Sequence, residues 1–160
     1  MAAIDVYIDA IIKCGARAAR DDGSRAIEAH HLLLAVAAEG DVSSRAVLTS
    51  AGLDHRAVRD ALDREFEHSL SAAGVSAAAF RLPPPAPAGP PPSRLGASAR
   101  LALERGFACV SSKKDLRPGH VLIGILRAEA GTVSRALALA GVDRDELIGR
   151  VRREALTENV

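Results

Sequence analysis

The sequence contains a second, diverged copy of itself. His31-Leu32-Leu33-Leu34-Ala35-Val36 returns as His120-Val121-Leu122-Ile123-Gly124-Ile125, and Ala51-Gly52-Leu53-Asp54 returns as Ala140-Gly141-Val142-Asp143. Both recurrences lie at one ungapped separation of 89 residues, which also carries Ile12 onto Leu101, Ala19 onto Ala108, Ile27 onto Leu116, Leu48 onto Leu137 and Leu62 onto Val151. Apolar positions that hold register while the polar ones between them change mark a duplicated unit of about 65 residues, kept first for its core. Such a chain has two similar sets of apolar faces to bury.

Within each copy, apolar residues recur three and four positions apart and strand-like alternation is absent, so the predicted fold is all-α. The first helix is expected over residues 4–21, with Ile8, Ile12 and Ala16 or Ala19 inward, and ends at Gly23. The second, over 28–39, is apolar nearly all round, the mark of a helix in the middle of a bundle. A third opens after Asp41 or Ser43 and closes at Gly52; a fourth follows Asp54, with Val58, Leu62 and Phe66 inside. In the second copy, Asp143 and Glu146 form the D-x-x-E opening of a helix that turns Leu147, Ile148 and Val151 inward. Pro118 suits the first turn of the helix that carries His120. The expected architecture is two tandem four-helix repeats with pseudo-twofold symmetry, residues 1–67 and 93–160, packed as one domain. The proline density of residues 82–92 makes 68–92 a linker with extended character.

A chain of 160 residues buries enough surface to need no disulfide or metal staple. Cys14 and Cys109 are not equivalent at the shift of 89, which argues against a repeated ligand and reads as small buried hydrophobes. Residues 1–67 carry 8 Lys and Arg against 12 Asp and Glu, and residues 92–160 carry 12 against 8, so the halves are oppositely charged at −4 and +4. With three Phe, one Tyr and no Trp, base-stacking platforms are missing and nucleic acid is demoted as a partner. No basic stretch followed by an apolar one opens the sequence, and no apolar run approaches the roughly 20 residues of a membrane span, so a cytoplasmic protein without a membrane partner is expected.

Catalytic chemistry finds no foothold. A G-x-x-x-x-G-K-[ST] phosphate loop, C-x-x-C, H-E-x-x-H and G-x-S-x-G are all absent from the sequence, and no enzyme activity, cofactor or metal is predicted. His30 and His31 are neighbours, which on a helix point about 100° apart rather than forming an i, i+4 zinc pair. His31 and His120 read as helix-start histidines whose rings bond locally.

The repeated pattern has a Gly, an Ile four residues before a His, aliphatic residues after that His, then a short helix closed by Gly-(Leu/Val)-Asp. It resembles the N-terminal domain of Clp-type AAA+ unfoldases, the ClpC kind especially, across both repeats. In that family each repeat carries Gly-Thr-Glu-His before the aliphatic run; here the stretches are Glu28-Ala29-His30-His31 and Arg117-Pro118-Gly119-His120. The resemblance implies a non-catalytic protein- or peptide-binding module that acts with Clp unfoldase and protease components or their substrates, as adaptor, accessory or competitor. A sequestering protein for toxic cyclic-peptide-like compounds is the first alternative, and a regulator that contacts nucleic acid through the basic repeat the second. The family's phosphoarginine-pairing Glu is replaced by His30 and by Gly119, and its aromatic-Thr pair by Ile4-Asp5 and by Ser93-Arg94. With Glu28 and Arg117, these six residues make up the binding surface that the resemblance implies. Weak or undetectable phosphoarginine binding is expected, with partial recovery on placing Glu at positions 30 and 119.

Overall fold

A computed structural model describes residues 2–75 and 89–157. They form eight α-helices in chain order: α1 (Ala3–Asp21), α2 (Ala29–Glu39), α3 (Val42–Ser50), α4 (His55–Ala72), α5 (Ala97–Phe107), α6 (Pro118–Leu126), α7 (Thr132–Leu139) and α8 (Arg144–Glu154). A one-turn 3-10 segment, Lys113–Asp115, lies between α5 and α6. No strand longer than a single bridge occurs among the described residues, so the fold is all-α. None of the helices is long and apolar enough to cross a membrane.

Local chemistry explains the helix ends. Asp41, Asp54 and Asp143 each accept a backbone N–H from the first turn of α3, α4 and α8, compensating donors that a helix start leaves open. Gly52 and Gly141 take φ of 76° and 74° just past α3 and α7, and the next residue in each case, Leu53 or Val142, bonds back to Leu48 or Leu137. That left-handed turn is where glycine is favoured. Pro118 begins α6, where its missing N–H costs nothing.

The apolar helices are central. Residues 31–36 of α2 and 121–126 of α6 are all buried, and each of these two helices touches the other and every major neighbour around it. One cluster of buried residues runs through both halves. Contacts between the halves are crossed: α1 meets α6 and α5 meets α2, while α4 meets α7 and α3 meets α8. Exchanging α1–α4 for α5–α8 reproduces these pairings, as well as those of α1 with α2, α2 with α3 and α2 with α4.

Several expectations need correction. Helix α4 continues to Ala72, so residues 68–72 belong to it and not to the linker; residues 76–88 lie outside the described part. Phe66 does not face the core: it is 53% exposed, and its neighbour Glu65 takes the buried place beside Arg135. Cys14 and Cys109 are free and half-buried rather than buried.

The shift of 89 fits α2 to α4 but fails in the first helix of each copy. It pairs Ile12 with Leu101 and Ala19 with Ala108, yet Leu101 is 46% exposed and Ala108 is exposed. A shift of 91 instead sets Ile11 on Ala102, Ile12 on Leu103 and Gly15 on Gly106. Both glycines lie against the first turn of the next helix: a Cβ on Gly15 would be 3.5 Å from the His31 carbonyl carbon, and one on Gly106 would be 3.4 Å from that of His120. The second copy is therefore two residues shorter between this glycine and its histidine.

Candidate functional site

The repeated histidines open their helices by one and the same bond. Nδ1 of His31 accepts the Glu28 backbone N–H at 2.9 Å, and Nδ1 of His120 accepts that of Arg117 at 2.9 Å. Each ring thus replaces the glutamate of an ordinary capping box, in agreement with the local role expected of both.

The first copy extends this bond into a relay. Nε2 of the fully buried His31 lies 2.6 Å from Oδ2 of Asp22, whose other oxygen accepts the N–H of Ser24 at 3.0 Å. Because the Glu28 N–H can only donate, Nδ1 must be bare, and the ring proton sits on Nε2 and is donated to Asp22. The His30 ring packs against His31 at a centroid distance of 4.0 Å, tilted by 44°, and brings its own Nε2 to 3.9 Å from the same carboxylate. Burial opposes charge on Asp22, but His30, His31 and Ser24 outweigh it and hold the carboxyl far below the usual range. Asp22, His30 and His31 are close enough to hold an ion. Their bonding does not suit one: a metal on Nε2 of His31 would displace its proton while Nδ1 stays committed to Glu28, leaving an imidazolate anion. In the second copy Ser111 stands where the shift of 89 would place an aspartate.

His120 is half-buried, and desolvation together with the nearby Arg117 charge pushes its pKa below the ordinary 6.5. The unfolded chain takes up this proton more readily than the folded one, so stability should fall as pH drops below 6.5 and level off below the folded value. Denaturation midpoints measured between pH values of about 5 and 7.5 should show this slope, and His120→Gln should flatten it. Identical slopes in the two proteins would exclude the assignment.

Two hollows lie at the helix openings. The larger, about 610 Å³, separates the start of α1 from the start of α6, with Ile4, Tyr7, Leu116 and Pro118 as its apolar walls and Asp5, Lys113, Lys114 and Arg117 as its charged ones. Asp5 and Lys113 pair across it at 2.7 Å, which lowers the Asp5 pKa. The smaller, about 300 Å³, lies between α2, α5 and the start of α7, and Glu28, His30, Ser98, Arg105 and Arg135 line it. Here the Ala29 N–H is donated to the Ser98 hydroxyl at 2.8 Å, and that hydroxyl is donated to the Glu28 carboxylate. Arg135 leaves this hollow to pair with buried Glu65 at 2.8 Å.

The structure therefore divides the expected surface. Ile4, Asp5 and Arg117 meet at the larger hollow, and Glu28 and His30 at the smaller. Ser93 and Arg94 line neither; Arg94 contributes its carbonyl, bonded to the Ile27 N–H at 2.9 Å. By the shift of 91 the counterparts of Ile4 and Asp5 are Leu95 and Gly96. Gly119 lines neither hollow as well. It is buried beneath the end of α8, where an added Cβ would lie 2.7 Å from Leu156 Cδ2 and 3.0 Å from the Ala155 carbonyl oxygen. Glutamate at 119 would have to displace that segment, so the recovery expected from carboxylates at both positions is confined to position 30. Nothing in the sequence pattern marked Ser98 or Asp22 for a role, and Leu116 entered only as the counterpart of Ile27.

No family model and no curated protein matches the chain.

Proposed function

We propose that this chain is a non-catalytic protein- or peptide-binding module of the Clp N-terminal type: two four-helix repeats related by a pseudo-twofold axis and packed as one domain. It acts on Clp-dependent proteolysis as adaptor, accessory or competitor of an unfoldase N-terminal domain. The observation that carries this reading is the crossed contact pattern, in which exchanging α1–α4 for α5–α8 returns the same pairings around α2 and α6. The identical histidine bond at the start of both central helices supports it. So does the placement of five of the eight expected surface residues on hollows at those helix starts.

The ligand chemistry differs from the ClpC kind. His30 brings no carboxylate and Gly119 no side chain, and Glu28 is tied to Ser98. A hydrogen bond to a charged group contributes about 1.5–3 kcal/mol, so phosphoarginine should bind roughly 10- to 150-fold more weakly for each lost carboxylate. His30→Glu should recover part of this in calorimetry. For the function itself, the chain is added to a reconstituted Clp unfoldase and protease with ATP and a folded substrate. A dose-dependent change in degradation rate is expected, with no ATP turnover by the chain alone; an unchanged rate at large excess would refute the reading.

A further inference from the structure

At one opening the chain fills its own gap. The segment ahead of α5 lies along the segment ahead of α2: Ile27 donates its N–H to Arg94 at 2.9 Å, and Gly96 donates to the Ile27 carbonyl at 2.8 Å. This parallel bridge between Ile27 and Leu95 presses Leu95 against the core.

At the other opening the corresponding residues are Leu116, by the shift of 89, and Ile4, by that of 91. They are not bridged. Asp5 accepts the Ala2 N–H at 3.1 Å and holds Lys113, so α1 is already wound at Ala3 and Ile4 stays on the helix. What remains is the 610 Å³ groove between Ile4 and Leu116. The filled opening shows the kind of occupant that fits, an extended segment with one aliphatic side chain.

Charge specifies it further. The filler carries Arg94 beside Leu95, and the wall it lies along continues into Glu28. At the open groove the signs reverse: Lys113, Lys114 and Arg117 stand against Asp5 alone, which is already paired with Lys113.

We propose that this groove docks an extended acidic segment of a partner protein, with one aliphatic side chain between Ile4 and Leu116 and its carboxylates toward Lys114 and Arg117. The Leu116 N–H is committed to the Lys113 carbonyl at 3.1 Å, so burial and charge hold the segment rather than a complete pair of bridge bonds. The inference rests on the chain being a peptide-binding module.

The test is fluorescence anisotropy with the labelled peptide Gly-Glu-Asp-Glu-Leu-Asp-Glu-Gly. Two controls accompany it, one with Ser for Leu and one with Lys for every acid. The first peptide should bind at least about tenfold more tightly than either control, more weakly at high salt. Lys114→Glu, an exposed change with little reach into the fold, should cost about tenfold or more, a difference of about 1.4 kcal/mol. Equal binding of all three peptides, indifference to Lys114→Glu, or preference for a DNA oligonucleotide over the acidic peptide would overturn the proposal. If the acidic peptide does not bind while the chain still alters Clp degradation, this inference alone falls. If both fail, the functional reading falls with it.

Discussion

Gly124→Ala should destabilise the folded chain by about 3 kcal/mol or more, the upper end for forcing a group into a packed interior. For a protein of this size that lowers the melting temperature by roughly 6–12 °C. The cause is backbone against backbone. A Cβ on Gly124 would strike the carbonyl oxygen of Ala102 and lie 2.6 Å from the Gly106 nitrogen and 3.0 Å from its Cα. No rotamer change relieves that contact, because α5 itself would have to move. Gly149→Ala on α8 is the control: its Cβ would meet only a terminal nitrogen of Arg153 at 3.1 Å. Removing a mid-helix glycine there should be neutral or gain up to about 1 kcal/mol. Thermal unfolding followed by circular dichroism distinguishes the two, and equal melting of Gly124→Ala and the parent would contradict the close α5–α6 crossing.

The second large effect is expected at His31. Its ring is fully buried and bonded at both nitrogens, to Glu28 and to Asp22. Removing it opens a cavity, strands the Glu28 N–H and leaves the half-buried Asp22 carboxylate without its fully buried partner, together about 3 kcal/mol or more. His120→Ala should cost less by about 1–2 kcal/mol, since that ring is half-buried and lacks an aspartate at the position equivalent to Asp22. The same relay sets an acid limit: the depressed Asp22 pKa contributes stability above the unfolded value of 3.8, lost as pH falls further through the folded value. Urea denaturation of both alanine variants at neutral pH provides the comparison. Matching losses at the two histidines would mean that Asp22 contributes nothing.

Most of the fold was legible because it depends on side-chain type and spacing. The all-round apolar character of Leu32–Val36 and Val121–Leu126 placed two central helices, and Asp41, Asp54 and Asp143 marked helix starts that the structure keeps. Phe66 was misplaced because pattern alone favours an aromatic at that position. Only the tertiary position of Arg135 shows why Glu65 turns inward instead. The slip of two residues in α5 was hidden by its alanines, which suit either face of a helix, while Gly15 and Gly106 carried the true register.

The surface was legible only in part. Ile4, Asp5, Glu28, His30 and Arg117 lie at the two openings, the last three because they sit at the starts of the two histidine-capped helices. Gly119 is covered by Leu156, a contact between residues 37 apart in sequence that no local pattern announces. Lys114 reaches the groove through the 3-10 turn of the second copy, which has no counterpart in the first.

If this chain works on Clp machinery, as we propose, affinity capture will retain that machinery. The chain is immobilised and exposed to clarified lysate of its own cells, and retained proteins are quantified by mass spectrometry against a helical control of equal size. Enrichment of a Clp unfoldase or its protease partner is expected, reduced when Lys114→Glu is the immobilised protein. Abundant Clp components that pass through at the level of the control would contradict it.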